Sequence, residues 1–363
     1  MLLSGGAAMS ALFEIRELSK YFKLGTRREE GGRNPLLLKA VDSVSFDVLA
    51  GECLGIVGES GSGKSTLGRL LLNMISPTSG QVLYDGQEIS ALKPESAAMK
   101  KLRGDMQMVF QNPRSSFNPK IPIVRSLHQV ARLYGLSEEA AEARIRELFA
   151  LTGLGQDILT HRNDELSGGQ LQRLAIVRAL IPGPRFLMAD EAVSALDVSV
   201  RAQILELFRD MQQRLGLTVF FVSHDLSVVE YLCDRILVLY LGKILESAPA
   251  DELFARPLHP YTRSLLAARP RAYPEEVREE APLAGEIPGA VDLPPGCRFS
   301  SRCPEMVPGL CDFVEPADTE VSPGHKVACH LLRHCDKIEA GGAPEQKGCE
   351  ECGASVGKEK VEI

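Results

Sequence analysis

Short apolar runs and helix-spaced apolar positions alternate along most of this chain. CLGIV (53–57), FLMAD (186–190) and TVFFVS (218–223) have almost no polar face, as strands buried on both sides of a parallel sheet require. VDSVSFDV (41–48) instead alternates, and QVLYDGQEI (81–89) carries an Asp85-Gly86 turn, so an antiparallel sheet is predicted beside the parallel one. Ile204, Phe208, Met211 and Leu215 share one helical face over 198–215, with Asp197 as N-cap and Gly216 as stop. SEEAAEARIRELFALTG (137–153) reads as a capped amphipathic helix inside a stretch, about 112–180, without strand patterning. Such alternation predicts an α/β fold, here in a first unit over 12–255. Past residue 255 proline becomes frequent (RPLHP, ARPRAYP, LPPG), which marks a second, small and irregular unit over 256–335. Segment 336–363 is polar and glycine-rich, the composition of a disordered tail.

Composition narrows the class. The 363 residues are 44% apolar and 25% charged, ordinary values for a globular protein. A net charge of −7 argues against a nucleic-acid partner. No apolar run approaches the ~20 residues that span a bilayer; ILVLYL (236–241) is too short and reads as another buried strand. The opening MLLSGGAAMSALF lacks the cationic and apolar regions of a signal peptide. A cytosolic setting is therefore expected, where structural disulfides are disfavoured.

The strand CLGIV runs into GESGSGKST, which fits G-x-x-x-x-G-K-[ST] at Gly58, Gly63, Lys64 and Ser65 and precedes a helix. Backbone N–H groups of such a loop, here Ser60, Gly61, Ser62, Gly63 and Thr66 among them, turn toward phosphates at a helix N-terminus. Lys64 would neutralise the β- and γ-phosphates, and the Ser65 hydroxyl would ligate Mg²⁺. In ELSGGQLQRLAIVRAL (165–180), Ser167, Gly168, Gly169 and Gln170 open a second helix and offer a hydroxyl and bare N–H groups to an anion.

Together, GESGSGKST and LSGGQ strongly resemble the nucleotide-binding domain of ABC transporters. The resemblance implies a RecA-like P-loop NTPase with an antiparallel β subdomain and a helical subdomain. It also implies ATP held between the P-loop of one subunit and the LSGGQ of another. The remaining motifs follow in the family's order. RFLMADE resembles the Walker B strand, which implies that Asp190 holds Mg²⁺ and that Glu191 is the general base for the attacking water. SALD (194–197) resembles the D-loop, with Asp197 linking the two sites. Gln111 in MVFQNP resembles the Q-loop ligand of Mg²⁺ and water, and His224 in FVSHD resembles the switch histidine at the γ-phosphate. LSKYFKLG resembles the aromatic loop that stacks on adenine, through Phe22 or, as second choice, Tyr21. Ala192 departs from the pattern, since the family has proline there; the neighbouring loop should loosen, but no catalytic group is lost.

VDSVSFDVLAGECLGIVGESGSGKSTLGRLLL, QMVFQNPRSSFNP, FVSHDLSVVEYLCDRILVLYLGKILE and RPLHPYTRSLLAARP resemble the ATPase subunits of bacterial dipeptide/oligopeptide importers, from about residue 12 to 334. RREEGGRNPLLLKAVD resembles the F-type member of the paired ATPases, which implies a D-type homologue as second subunit. Two transmembrane permease subunits and, indirectly, an extracellular peptide-binding protein complete the implied machine, with this chain peripheral on the cytoplasmic face of the membrane. Nickel or another small solute is the alternative cargo, and a soluble non-transport ABC ATPase is the alternative class.

Seven of nine cysteines lie after residue 290. Cys297, Cys303, Cys311 and Cys329 form C-x5-C-x7-C-x17-C, which lacks the short knuckles of zinc sites and leaves the metal open on spacing alone. PPGCRFSSRCP…C…GHKVACH resembles the C-terminal motif of peptide-importer ATPases, which implies a 4Fe–4S cluster on those four residues, with zinc as the alternative. His325 and His330 are either substitute zinc ligands or surface residues. Cys335 is spare, Cys349 and Cys352 form an isolated C-x-x-C without assigned function, and Cys53 and Cys233 read as small core residues.

Overall fold

A computed structural model describes residues 10–29, 32–268, 289, 291 and 293–334. The opening residues, the tail 336–363 and Cys335, Cys349 and Cys352 therefore lie outside the described residues. Along the chain, β1 (Ala11–Glu29) and β2 (Gly32–Leu49) precede β3 (Cys53–Val57), α1 (Lys64–Leu71), β4 (Ser79–Tyr84), β5 (Gln87–Glu88), α2 (Ala97–Asp105) and β6 (Met106–Val109). Three helices follow with no strand between them: α3 (Ile123–Leu133), α4 (Glu138–Thr152) and α5 (Gly168–Leu180). Then come β7 (Phe186–Asp190), α6 (Val198–Leu215), β8 (Thr218–Val222), α7 (Leu226–Leu232), β9 (Arg235–Tyr240), β10 (Lys243–Pro249), α8 (Ala250–Ala255) and α9 (Pro260–Ala267). The last strands are β11 (Thr319–Ser322) and β12 (His325–Val327).

Two sheets result. The first is antiparallel, in the order β2-β1-β4-β5; its β4–β5 hairpin turns at Asp85 and Gly86, both with positive φ (50° and 75°). That pair of left-handed residues matches the right-handed twist of the flanking strands. The second sheet has the order β11-β12-β10-β9-β3-β8-β7-β6, with β9, β3, β8, β7 and β6 parallel. Its central strands explain their own sequences. Leu54, Ile56, Phe186, Met188, Phe220 and Val222 face a core shared with the antiparallel sheet and α1, whereas Cys53, Val57, Leu187, Ala189, Val219 and Phe221 face the helical side. Both faces being buried, neither could be polar.

The helices follow their caps. Ser137 Oγ accepts from Ala140 N at the start of α4, and Gly216 closes α6 in the left-handed region. Asp197 occupies the N-cap position of α6 without a side-chain cap hydrogen bond, and Ile204, Phe208 and Met211 are buried; Leu215, the last residue of the helix, is exposed instead of joining them. The proline-rich C-terminal segment holds more order than its composition suggests, because β12 pairs with β10 (Glu246↔Val327) and continues the main sheet. Among the described residues no helix is long and apolar enough to cross a membrane.

Candidate active site

The loop between β3 and α1 bends around Lys64. Gly63 sits at φ 108°, where a Cβ would lie 2.1 Å from the Ala40 carbonyl oxygen, so no other residue fits. The Lys64 side chain is buried and donates to the Gly58 and Glu59 carbonyls at 2.7 and 2.9 Å. Burial lowers its pKa, against the opposing pull of Glu191, Asp190 and Glu59.

Four neighbouring strand ends converge on this lysine. Ser65 Oγ donates to Asp190 Oδ1 at 2.8 Å, joining the start of α1 to the end of β7. Burial raises the Asp190 pKa, and the Ser65 hydrogen bond works the other way. Glu191, the next residue, has φ 49°, a turn that its N–H stabilises by donating to Val222 O at 3.0 Å. Its carboxylate accepts from Gln111 Nε2 at 2.8 Å and lies 3.4 Å from His224 Nδ1. Lys64, Ser65, Gln111, Asp190, Glu191 and His224 thus stand in one place, brought from sequence positions more than 150 residues apart. Ala192 is buried beside them.

The hydroxyl and carboxylate of Ser65 and Asp190 are hard oxygen donors at the mouth of an anion loop, a pair that suits Mg²⁺, which takes one or two protein oxygens and completes its shell with water and phosphate. The other candidates have local partners of their own. Ser167 and Gln170 form a capping box, Ser167 Oγ accepting from Gln170 N at 3.2 Å and Gln170 Oε1 from Ser167 N at 2.9 Å. Gly168 and Gly169 lie against Leu196 and Val200 at the start of α6, so close that a Cβ on Gly169 would meet Val200 at 2.7 Å. Among the described residues no hydrogen bond joins 167–170 to the Lys64 cluster. Asp197 is tied into the α6 entrance, where Arg201 N donates to its carbonyl at 2.8 Å. The Phe22 ring is exposed on β1 with the Lys20 ammonium 5.2 Å from its centroid, while the Tyr21 hydroxyl is engaged by Asp42.

One connection escaped the sequence reading. Asp225 caps α7 through Ser227 N at 3.0 Å and accepts from Arg201 at 2.9 Å, so the residue after His224 is fixed to the helix that Asp197 opens. Only the adjacent His-Asp pair in FVSHD hinted at it.

The four tail cysteines do not form the expected metal site. Among the described residues no three His, Cys, Asp or Glu side chains are arranged to hold a metal ion, so neither the 4Fe–4S cluster nor zinc is supported. Cys297, Cys303, Cys311 and Cys329 are free thiols, and Cys297 and Cys311 join the apolar core with Phe299 while Cys303, Met306 and Val307 pack against it. Burial pushes the Cys297 thiol up to about 11 and the Cys329 thiol to about 12, and raises Cys303 too. Protonated thiols pack as small hydrophobes, whereas metal ligation requires the thiolate. Nor are the histidines on the surface. His325 is fully buried between Glu246 and Glu252, and buried His330 lies 2.8 Å from the Val314 carbonyl oxygen through Nε2. Cys53 and Cys233 are buried with their sulfurs 3.7 Å apart.

Residues 41–194 match the ABC transporter family, and residues 245–311 match the oligopeptide/dipeptide transporter C-terminal region. A putative peptide import ATP-binding protein of Brucella ovis is 45% identical over 319 residues, spanning 88% of this chain and 97% of its own. The oligopeptide transport ATP-binding protein AppF of Bacillus subtilis is 42% identical over 333 residues, 90% of this chain and 98% of its own. Among solved structures, the dimeric ATP-binding cassette MJ0796 in a post-hydrolysis state with ADP and Pi aligns with a TM-score of 0.57 at 28% identity, covering 66% of this chain and 98% of that one. CbiO1 of Clostridium perfringens, part of an ABC transporter complex, aligns at 0.58 and 26%, covering 68% and 91%. Sharing motifs, fold and nearly full length with such relatives, the chain belongs to the ABC transporter family as an ATPase of the peptide-import ATP-binding type.

Proposed function

We propose that this chain hydrolyses ATP to drive peptide uptake through a membrane permease, with each nucleotide shared between two ATPase subunits. The convergence of Lys64, Ser65, Gln111, Asp190, Glu191 and His224, with the 167–170 helix entrance held elsewhere, carries the reading. A closed nucleotide site then needs a second chain, in which another P-loop meets Ser167, Gly168, Gly169 and Gln170. A D-type homologue is the preferred second subunit.

In this reading Lys64 leaves the Gly58 and Glu59 carbonyls for the β- and γ-phosphates, and the N–H groups of residues 60–66 close around them. Ser65, Asp190 and Gln111 would hold Mg²⁺, which would supply charge neutralisation for phosphoryl transfer. Glu191 accepts the proton of the attacking water while His224 and Gln111 orient its carboxylate. Phe22 stacks on adenine, and Asp197 relays the state of one site to the other. The helical segment 112–180 moves with Gln111, and its face near 112–130 receives the coupling helix of one of two permease subunits. The division into 12–255 and 256–335 follows the same reading, as does a peripheral position on the cytoplasmic side. The names of the relatives support peptides as cargo.

Glu191→Gln should abolish turnover while leaving ATP binding intact; unchanged hydrolysis would remove the general base from Glu191. Affinity purification from membranes should bring down two multispanning proteins and a second ATPase chain, and recovery of this chain alone would count against a permease-coupled role.

A further inference from the structure

Glu59, the second residue of the P-loop, is gripped from outside by the C-terminal region. The Arg302 guanidinium, 243 positions away, donates to both Glu59 carboxylate oxygens at 2.7 and 3.1 Å. It also donates to the Tyr240 hydroxyl at 3.3 Å. The Tyr261 hydroxyl accepts the Glu59 backbone N–H at 2.9 Å. Tyr240, Tyr261 and Phe299 form a ring cluster, with centroids 4.7 to 5.4 Å apart, that keeps these partners in place. Both polar ends of Glu59 are therefore taken, and its carbonyl in turn receives Lys64 Nζ. A second fastening lies nearby, where buried Arg298 binds Asp42, the residue that also engages the Tyr21 hydroxyl.

The chemistry of this grip is specific. The Arg302 side chain is 5% exposed, so its two-point bond to a carboxylate is little screened by water. Without the guanidinium, Glu59 would present a bare negative charge at the rim of a loop that must receive triphosphate. We infer that Arg302 is a positioning residue of the ATP site: it neutralises Glu59 and fixes the outer turn of the P-loop, so the C-terminal region sets ATP affinity. The inference rests on the P-loop reading above.

The test uses full-length chain and compares Kd for MgATP with kcat at saturating ATP. Arg302→Met should weaken ATP binding about tenfold (~1.4 kcal/mol) and leave kcat within about twofold. Adding Glu59→Gln to it should restore most of the affinity, because the uncompensated carboxylate is gone. An unchanged Kd in Arg302→Met, a fall in kcat alone, or a double variant as weak as the single would overturn the inference. Should Arg302→Met fail to fold, Arg302→Gln, which keeps a hydrogen-bond donor but no charge, carries the test: a several-fold weaker Kd, recovered by Glu59→Gln, supports it, and an unaltered Kd sinks it. Lys64→Ala run in parallel separates the two readings, since ATP binding retained there would overturn the reading of the loop itself.

Discussion

Glu246 shows how single buried groups set the pH range of the fold. Its oxygens, fully buried on β10, accept from Leu258 N (2.8 Å), His259 N (3.0 Å) and His325 Nε2 (2.8 Å). The two histidines titrate in opposite directions. Burial depresses His259 to about 4, and its Nδ1 accepts from Tyr261 N at 3.0 Å, a bond that protonation would abolish. The unfolded chain therefore takes up that proton first, and stability falls as pH drops from about 6.5 to about 4, by ~3 kcal/mol at most. Burial also pulls His325 down, but its hydrogen bonds to Glu246 and Glu252 outweigh it, so its pKa is raised. Its contribution is complete below about pH 6.5 and is lost as pH rises through the folded value. His259→Asn keeps a capping acceptor without a titrating group. Melting temperature followed against pH should fall less steeply on the acid side in that variant, and an unchanged acid slope would clear His259 of the effect.

At the scale of elements, the β4–β5 turn isolates backbone geometry from packing. Gly86 has φ 75° with open space around it, so Gly86→Ala adds strain and no collision. The expected cost is ~1 kcal/mol, read as a small drop in melting temperature with ATPase activity unchanged. A loss of activity would mean that the hairpin reaches the nucleotide site. This turn, the strands β3, β7 and β8 and the caps of α4 and α6 were legible in sequence because each obeys a local rule of period or turn chemistry. The cluster was legible for a related reason: Asp190, Glu191 and His224 lie at or just past the ends of recognisable strands, and Lys64 and Ser65 open the helix that follows one. β11 and β12 were not, because such four- and three-residue strands gain their order from pairing, β12 with β10 and β11 with β12. The Arg302–Glu59 and Arg298–Asp42 pairs join residues roughly 250 positions apart, and no periodicity announces them. The cysteines misled for the opposite reason: resemblance implied a cluster on them, whereas Cys297, Cys303 and Cys311 pack with Phe299, Met306 and Val307 and burial raises the Cys297, Cys303 and Cys329 thiols.

For the whole molecule, the separation of two half-sites carries the strongest consequence. The Lys64 cluster lies at strand ends of the main sheet, while Ser167 caps α5; under the proposed function, one chain would serve two different nucleotides. Lesions in the two places should therefore part company in the assembled transporter. Lys64→Ala removes the lysine expected on the phosphates and should stop nucleotide trapping on this chain's own P-loop. Ser167→Arg puts a bulky cation where a small hydroxyl caps the helix, and should leave this P-loop able to bind ATP while blocking trapping on the partner's P-loop. A photoreactive ATP analogue, trapped during turnover and assigned to each chain by mass, reads both outcomes. Label lost from this chain in Ser167→Arg, with the partner's label intact, would mean that each chain completes its own site and that the shared geometry is wrong.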